Sequence, residues 1–275
     1  MADTDAGHVV QRGSGCPVTR VHPARAAHQA REQLELGGRE AHVGAIMSAY
    51  NLVNRGKKSL VVDLTRKEGR LLRRYGHLST GNYNSRTAKL YTDMSYLTAD
   101  PDLTSDMEAV FVHLASQTRL PKLKKLWVAP FHLHDKLLAL IAATGRGAAA
   151  GHKGRIVLKM NALTDEKLAE ALIHAASQGV QIDLIVRGAC ILPAQVEGFT
   201  DNIRVRSIIG RFLEHSRVFY FRSGKQEDIY LASADLMNRN MLRRVEVAWP
   251  VLDPELRQRI IDECLVAYLL DTKDA

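Results

Sequence analysis

Residues 155–187 read Arg155-Ile-Val-Leu-Lys-Met-Asn161, Ala162-Leu-Thr-Asp165, Glu166-Lys-Leu-Ala-Glu-Ala-Leu-Ile-His-Ala-Ala-Ser-Gln178, Gly179 and Val180-Gln-Ile-Asp-Leu-Ile-Val-Arg187. The first segment is a mostly apolar run that ends at a polar Asn161, the pattern of a strand leaving a core. Acids at 165 and 166 mark a first helical turn and Gly179 a stop, so a helix is expected over 165–178. The next run, 180–186, alternates apolar residues and ends at Arg187. Strand, helix, strand at this spacing means a parallel pair joined by a crossover helix, hence an α/β fold. Ligands of parallel α/β sheets gather beyond the carboxyl ends of the strands, where Asn161 and Arg187 both fall.

The same reading extends outward. Leu126-Trp-Val-Ala-Pro-Phe begins a domain with a short strand, and a helix is expected across 135–143. Asp253-Pro254-Glu255 opens a final helix, with apolar spacing at Leu256, Ile260, Ile261, Leu265 and Leu269. Upstream, 59–64 and 71–77 read as strands, the second delivering His77 to its end, and 103–115 as a helix. Residues 1–56 carry glycine pairs and scattered histidines and arginines. One helix is expected there over 24–36, stopped by Gly37-Gly38, and otherwise a poorly ordered segment.

At 275 residues, with 46% hydrophobic and 25% charged content, the chain has the make-up of a soluble globular protein of one large or two ordinary domains. A net charge of +8 points to an anionic partner, and nucleic acid, a membrane surface and polyphosphate all fit it. Aromatic content of 6%, with no basic–aromatic alternation, argues against nucleic acid. Cys16, Cys190 and Cys264 form no CxxC pair and no metal spacing with the histidines, which favours a reducing compartment. His132-Leu-His134 looks like a metal pair without a third ligand and is expected to be surface histidine. The acidic start lacks the apolar core of a signal peptide, and the longest apolar run, 137–143, is far too short to span a bilayer. A cytoplasmic protein with no transmembrane segment and no resident metal is expected.

Two stretches carry polar chemistry. Tyr75-Gly-His77-Leu-Ser79-Thr80-Gly81-Asn82-Tyr-Asn84-Ser-Arg86-Thr-Ala-Lys89-Leu-Tyr91-Thr-Asp93 gathers a histidine, a small-residue turn, two asparagines and two cations. A phosphate-handling site would use this inventory: donors for oxygens, cations against their charge, and an imidazole for a proton or a phosphoryl group. A polar loop whose small residues satisfy their own backbone would also use it. The second stretch is Arg204-Val-Arg206-Ser-Ile-Ile-Gly-Arg211-Phe-Leu-Glu214-His215-Ser-Arg217-Val-Phe-Tyr-Phe221. It is followed by Ile229-Tyr-Leu-Ala-Ser-Ala-Asp235-Leu-Met-Asn-Arg-Asn240 and Arg243-Arg-Val-Glu246-Val.

With Leu158-Lys-Met-Asn-Ala-Leu-Thr-Asp165 and Asp183-Leu-Ile-Val-Arg187-Gly-Ala-Cys190, these motifs resemble the carboxy-terminal catalytic half of polyphosphate kinase, from about residue 71 to about residue 270. That half has a phospholipase D-like fold of two related lobes. The resemblance implies an unmatched segment over 1–58, the end of a first lobe over 59–125 and a complete second lobe over 126–275, with a mixed sheet flanked by helices.

The implied reaction is reversible transfer of the terminal phosphoryl group of ATP to polyphosphate through a phosphohistidine. ATP or ADP and polyphosphate would be the partners, Mg2+ would accompany the nucleotide, and the full-length family would form homo-oligomers. In the phospholipase D-like pattern each lobe supplies an H-x-K motif, and the two histidines meet where the lobes face each other. His215-Ser-Arg217 is the second-lobe relative, with arginine for lysine, completed by Asn240 and Glu246. His215 and His77 are the implied catalytic residues, and Tyr91, Arg187 and His215 the implied ATP contacts. Asn82, Asn84, Arg204, Arg206, Arg217 and Asn240 would line the phosphate path. In the first lobe the family's nucleophilic histidine aligns with Lys58, a poor substitute because lysine is protonated at neutral pH. A catalytically inactive module that still binds nucleotide or polyphosphate is therefore the alternative function.

Overall fold

The computed structural model of the protein describes residues 9–12, 60–67, 70–81, 86 and 89–271, with side chains from Arg73 onward. The helix expected over 24–36, the bulk of the segment expected to be poorly ordered, and Lys58, Asn82 and Asn84 lie outside the described residues. The chain divides into two compact units, one through Lys125 and one from Leu126.

The first unit contains β1 (Val9–Arg12), β2 (Leu60–Lys67), β3 (Arg70–Ser79), β4 (Tyr91–Thr92), β5 (Met94–Thr98) and helix α1 (Pro101–Ser116). Four of these strands form a sheet in the order β1-β5-β3-β2, antiparallel throughout. Along β5, Met94, Tyr96 and Thr98 turn inward and the residues between them outward, the two-residue period of a half-buried strand. Asp100 caps α1 by accepting from the backbone N–H groups of Asp102 and Leu103, and Pro101 supplies the preset first-turn backbone. Leu103, Met107 and Val110 of that helix are fully buried. Asp106 accepts the backbone N–H groups of Lys124 and Lys125 and so ties the end of the unit back to α1.

The second unit contains β6 (Trp127–Ala129), α2 (Leu133–Ala149), β7 (Gly154–Met160), α3 (Glu166–Ser177), β8 (Gln181–Val186) and β9 (Ile203–Arg206). It continues through β10 (Leu213–Glu214), β11 (Arg217–Ser223), β12 (Gln226–Ala232), α4 (Asn238–Leu242) and β13 (Glu246–Pro250). It ends in α5 (Pro254–Ile261), a single π-type turn (Asp262–Val266) and α6 (Ala267–Leu270). Seven strands build one mixed sheet in the order β6-β13-β12-β11-β7-β8-β9. β7, β8 and β9 run parallel, as the crossover pattern requires, and the other pairings are antiparallel.

Helices α2 and α3 contribute Leu133, Leu137, Ile141, Leu168 and Leu172 to a core shared with Ile156, Leu158, Ile182 and Leu184 of the sheet. Each such side chain adds about 1.5–3 kcal/mol of burial. The expected end of α2 at Ala143 is corrected, because the helix runs on through Gly145 and Gly147. Those glycines are there for close approach rather than termination. A Cβ on Gly145 would stand 2.0 Å from Oε1 of Gln178, and one on Gly147 2.0 Å from Oγ of Ser223.

Asp165 caps α3 through the N–H of Leu168 at 3.0 Å, and Gly179 follows the helix with φ of +96°, a conformation natural to glycine. The same Asp165 lies 3.1 Å from Nε2 of His134. His134 is therefore a buried strut between α2 and the start of α3, which corrects its expected place on the surface.

Candidate active site of the second unit

The register of the parallel strands sets the site. Met160 of β7 pairs with Val186 of β8, so Asn161 and Arg187 leave the sheet side by side. The N–H of Arg187 donates to the carbonyl of Met160, and the N–H of Gly188 to that of Asn161 at 2.8 Å. On the other flank of β7, Val218 of β11 pairs with Lys159, which brings Arg217 to the same end of the sheet. Arg217 pairs in turn with Ala232 of β12, just before Asp235. Residues far apart in sequence thus meet at one edge of the mixed sheet.

Asp235 is the hub of that edge. Its Oδ1 accepts the backbone N–H of Asn161 at 2.9 Å and Nε of Arg217 at 3.1 Å, and its Oδ2 accepts Nη2 of Arg217 at 2.9 Å. Burial alone would raise the Asp235 carboxyl. The facing Arg217 guanidinium and the Asn161 donors outweigh burial and hold it below the usual carboxylate range. Nη1 of Arg217 lies 3.1 Å from each ring nitrogen of His215 and donates to the His215 carbonyl at 2.8 Å. Asn161, Asp235, Arg217 and His215 therefore form one connected chain of polar contacts, and Arg187 stands at the adjacent strand end. Asn161 and Arg187 are thus neighbours at the strand ends, and the polar chain leads from Asn161 to His215.

Several of the expected phosphate contacts are engaged elsewhere. Arg217 is 5% exposed and bonded to Asp235, so it orients other groups and does not line a path for a polyanion. Asn240 is 2% exposed, and its Nδ2 donates to Oε1 of Glu246, whose Oε2 accepts from the hydroxyl of Ser233 at 2.6 Å. Arg204 bonds Asp183, its register partner across β8 and β9. Arg206 donates to the backbone carbonyls of Tyr268, Leu269 and Asp271 and so caps the last helix. Charge alone could not reveal the assignments of the three arginines, because each partner is distant in sequence.

Arg187 differs from these three. It is half-buried, its backbone is fixed by the sheet, and its guanidinium makes no hydrogen bond or ion pair among the described residues. With Lys159, Met160, Ile185, Ile208 and Glu214 it lines a small depression at the strand ends.

Sequence reasoning assigned no role to Asp235 or Lys159. Asp235 stood within the quoted motif. Lys159 had its own signal, a lysine inside the apolar run of a central strand, where a charge survives only with partners. It is 2% exposed and donates to Oε2 of Glu214 at 2.9 Å and Oγ of Ser216 at 2.6 Å.

In the first unit, His77 lies on β3, two residues short of the strand end and opposite Leu97 of β5. It is half-buried, and desolvation by burial pushes its imidazole down to about 4, so it is neutral at pH 7. Nearby, Oγ1 of Thr80 donates to Oδ1 of Asp93 at 2.8 Å and accepts the N–H of Met94. Tyr91 is half-buried on β4.

A mixed sheet flanked by helices, with a histidine–arginine–aspartate chain at its strand ends, is the α/β architecture expected of the second lobe. Two family models match the sequence, polyphosphate kinase C-terminal domain 1 over residues 26–120 and polyphosphate kinase C-terminal domain 2 over residues 126–275. The second takes in more than half of the 275 residues, and the chain belongs to the polyphosphate kinase family.

The chain is 44% identical to the polyphosphate kinase of Xylella fastidiosa over 262 residues, 95% of this chain and 37% of that protein. It is 52% identical to the polyphosphate kinase of Paraburkholderia phytofirmans over 204 residues, 74% of this chain and 30% of the other. The crystal structure of polyphosphate kinase from Porphyromonas gingivalis matches with a TM-score of 0.73 at 37% identity, covering 79% of this chain and 33% of that one. The chain thus spans about a third of the length of the curated relatives it matches. The match to C-terminal domain 1 starts at residue 26, inside the segment expected to be unmatched, and corrects that boundary.

Proposed function

We propose that the chain supplies the part of a polyphosphate kinase active site that holds ATP or ADP and polyphosphate for reversible transfer of the terminal phosphoryl group. Arg187 carries this reading. A half-buried guanidinium with no anionic partner among the described residues, set at the carboxyl end of a parallel strand, suits two charge-assisted hydrogen bonds to phosphate oxygens. His215 moves a proton at a ring nitrogen, held in place by Arg217, which is in turn held by Asp235. His77, neutral at pH 7, serves as an acceptor, and Tyr91 contacts the nucleotide. Catalysis in such a site rests on positioning and on cancelling charge over the phosphoryl oxygens.

Mg2+ enters this reading on the nucleotide. Among the described residues no group of three or more His, Cys, Asp or Glu is placed to hold a metal ion, and Mg2+ is commonly bound through substrate phosphates. A cytoplasmic homo-oligomer without nucleic acid as a partner belongs to the same reading. No helix among the described residues is long and apolar enough to cross a membrane.

Lys58 favours a second reading. With lysine where the family's nucleophilic histidine is expected, the chain binds nucleotide or polyphosphate without turning it over. Titration calorimetry with ATP and with polyphosphate tests the binding role. Arg187→Ala is expected to weaken ATP binding by about 1.5–3 kcal/mol, and equal affinity in the two proteins would remove Arg187 from the reading. Radiolabelled ATP then separates the alternatives. Acid-labile label on His77 or His215 with chain elongation supports turnover, and binding without label supports the second reading.

A further inference from the structure

We infer that Lys159 is a positioning residue for His215, a role that rests on the function proposed above. Lys159 sits on the central strand β7 between β8 and β11, paired with Ile185 on one side and Val218 on the other. Its neighbours Leu158 and Met160 are buried apolar side chains, and an apolar residue would serve the sheet alone at least as well. The ammonium group instead holds at least three partners. Nζ donates to Oε2 of Glu214 at 2.9 Å and to Oγ of Ser216 at 2.6 Å, and it stands 4.8 Å from the centroid of the Tyr268 ring. An ammonium interacts only as a donor and a cation, and these contacts use it in both ways. Lys159 is therefore occupied with protein groups, although it borders the same depression as Arg187.

Glu214 and Ser216 are the residues on either side of His215. Lys159 fixes both of them from beneath, while Arg217 fixes the His215 carbonyl and faces the ring. The hydroxyl of Tyr268 donates to the same Oε2 of Glu214 at 2.7 Å, and Arg206 caps the carbonyl of that tyrosine. The last helix thereby becomes part of the support. A histidine that must present one ring nitrogen to a reacting group needs such a frame, because small misplacements cost rate more than affinity.

The test compares wild type, Lys159→Met, and the double variant Lys159→Met/Glu214→Gln, which removes both buried charges and keeps the fold testable if the single variant unfolds. The His215 ring resonances, assigned by their loss in His215→Gln, are expected to shift or broaden in both variants. ATP affinity, read by calorimetry, should stay within about twofold because Arg187 is untouched, while phosphoryl transfer in any preparation that shows it falls about 30-fold or more. Unchanged His215 resonances in a folded double variant would overturn the proposal. So would transfer at the wild-type rate. The resonance readout needs no turnover, so failure of wild type to bind ATP or transfer phosphate would count against the proposed function and leave the test of Lys159 intact.

Discussion

Replacing Asp235 with alanine should cost the second unit a large share of its stability. The carboxylate takes two hydrogen bonds from Arg217 and one from the backbone of Asn161, in a site where Arg217 is 5% exposed. Removing it leaves a guanidinium buried without its counter-charge, at a cost of about 3–5 kcal/mol. The abandoned N–H of Asn161 falls within the same range, since water that enters the gap relieves part of both losses. With a urea slope of about 2 kcal/mol/M, the midpoint should fall by roughly 2 M. Tryptophan fluorescence is the natural assay, because both tryptophans, Trp127 and the fully buried Trp249, lie in this unit. Pairing the change with Arg217→Met should recover much of the loss, since the buried charge goes as well. The penalty should also shrink in acid. A carboxyl held below its unfolded pKa near 3.9 contributes fully above that value, and the contribution is lost as pH falls through the folded pKa. A midpoint shift under about 0.5 M at pH 7 would refute the claim that this ion pair organises the site.

The first unit should lose stability in a milder acid window. His77 is pushed down to about 4 by burial, so as pH falls below 6.5 the unfolded chain takes up the proton first and stability drops between pH 6.5 and 4, by on the order of 2–3 kcal/mol. Hydrogen exchange of β3 and β5 amides at pH 7 and pH 4.5 reads this, and a His77→Gln protein should show a flatter profile. Arg206→Ala should speed amide exchange in α6 while leaving ATP affinity within about twofold, because its guanidinium serves the carbonyls of residues 268, 269 and 271. A large loss of affinity would return Arg206 to the phosphate path.

Local signals in the sequence carried the second unit well. Apolar runs, the acids at 165 and 166, Gly179 and the Asp253-Pro254 start correspond to β7, α3, β8 and α5. The adjacency of Asn161 and Arg187 followed from that local pattern, because parallel register is set by the crossover helix. What local patterns could not give was pairing between distant charges. Arg204 and Arg206 read as a positive face, yet their partners lie on β8 and at the end of α6. His134 read as surface, since nothing near it in sequence announces Asp165 as its partner. The helix expected over 135–143 runs on to Ala149 through Gly145 and Gly147, because a glycine kept for close packing looks the same, in one sequence, as one kept for a turn.

The order of the large sheet has a consequence for how the second unit assembles. β6, its first strand, sits at the edge of the sheet, and its neighbour is β13, the last, with Trp127 set against Ala248. A chain emerging from the ribosome amino end first can pair β7 with β8 as soon as α3 is out, because that loop is short to close. β6 must wait until nearly the whole unit has been made. Assembly should therefore proceed from the parallel centre outward and finish with the placement of β6, a late and slow step, since non-local pairings are the entropically expensive ones. Until then β6 remains an unclaimed edge, the point at which a nascent or heat-stressed chain is most open to pairing with a neighbour.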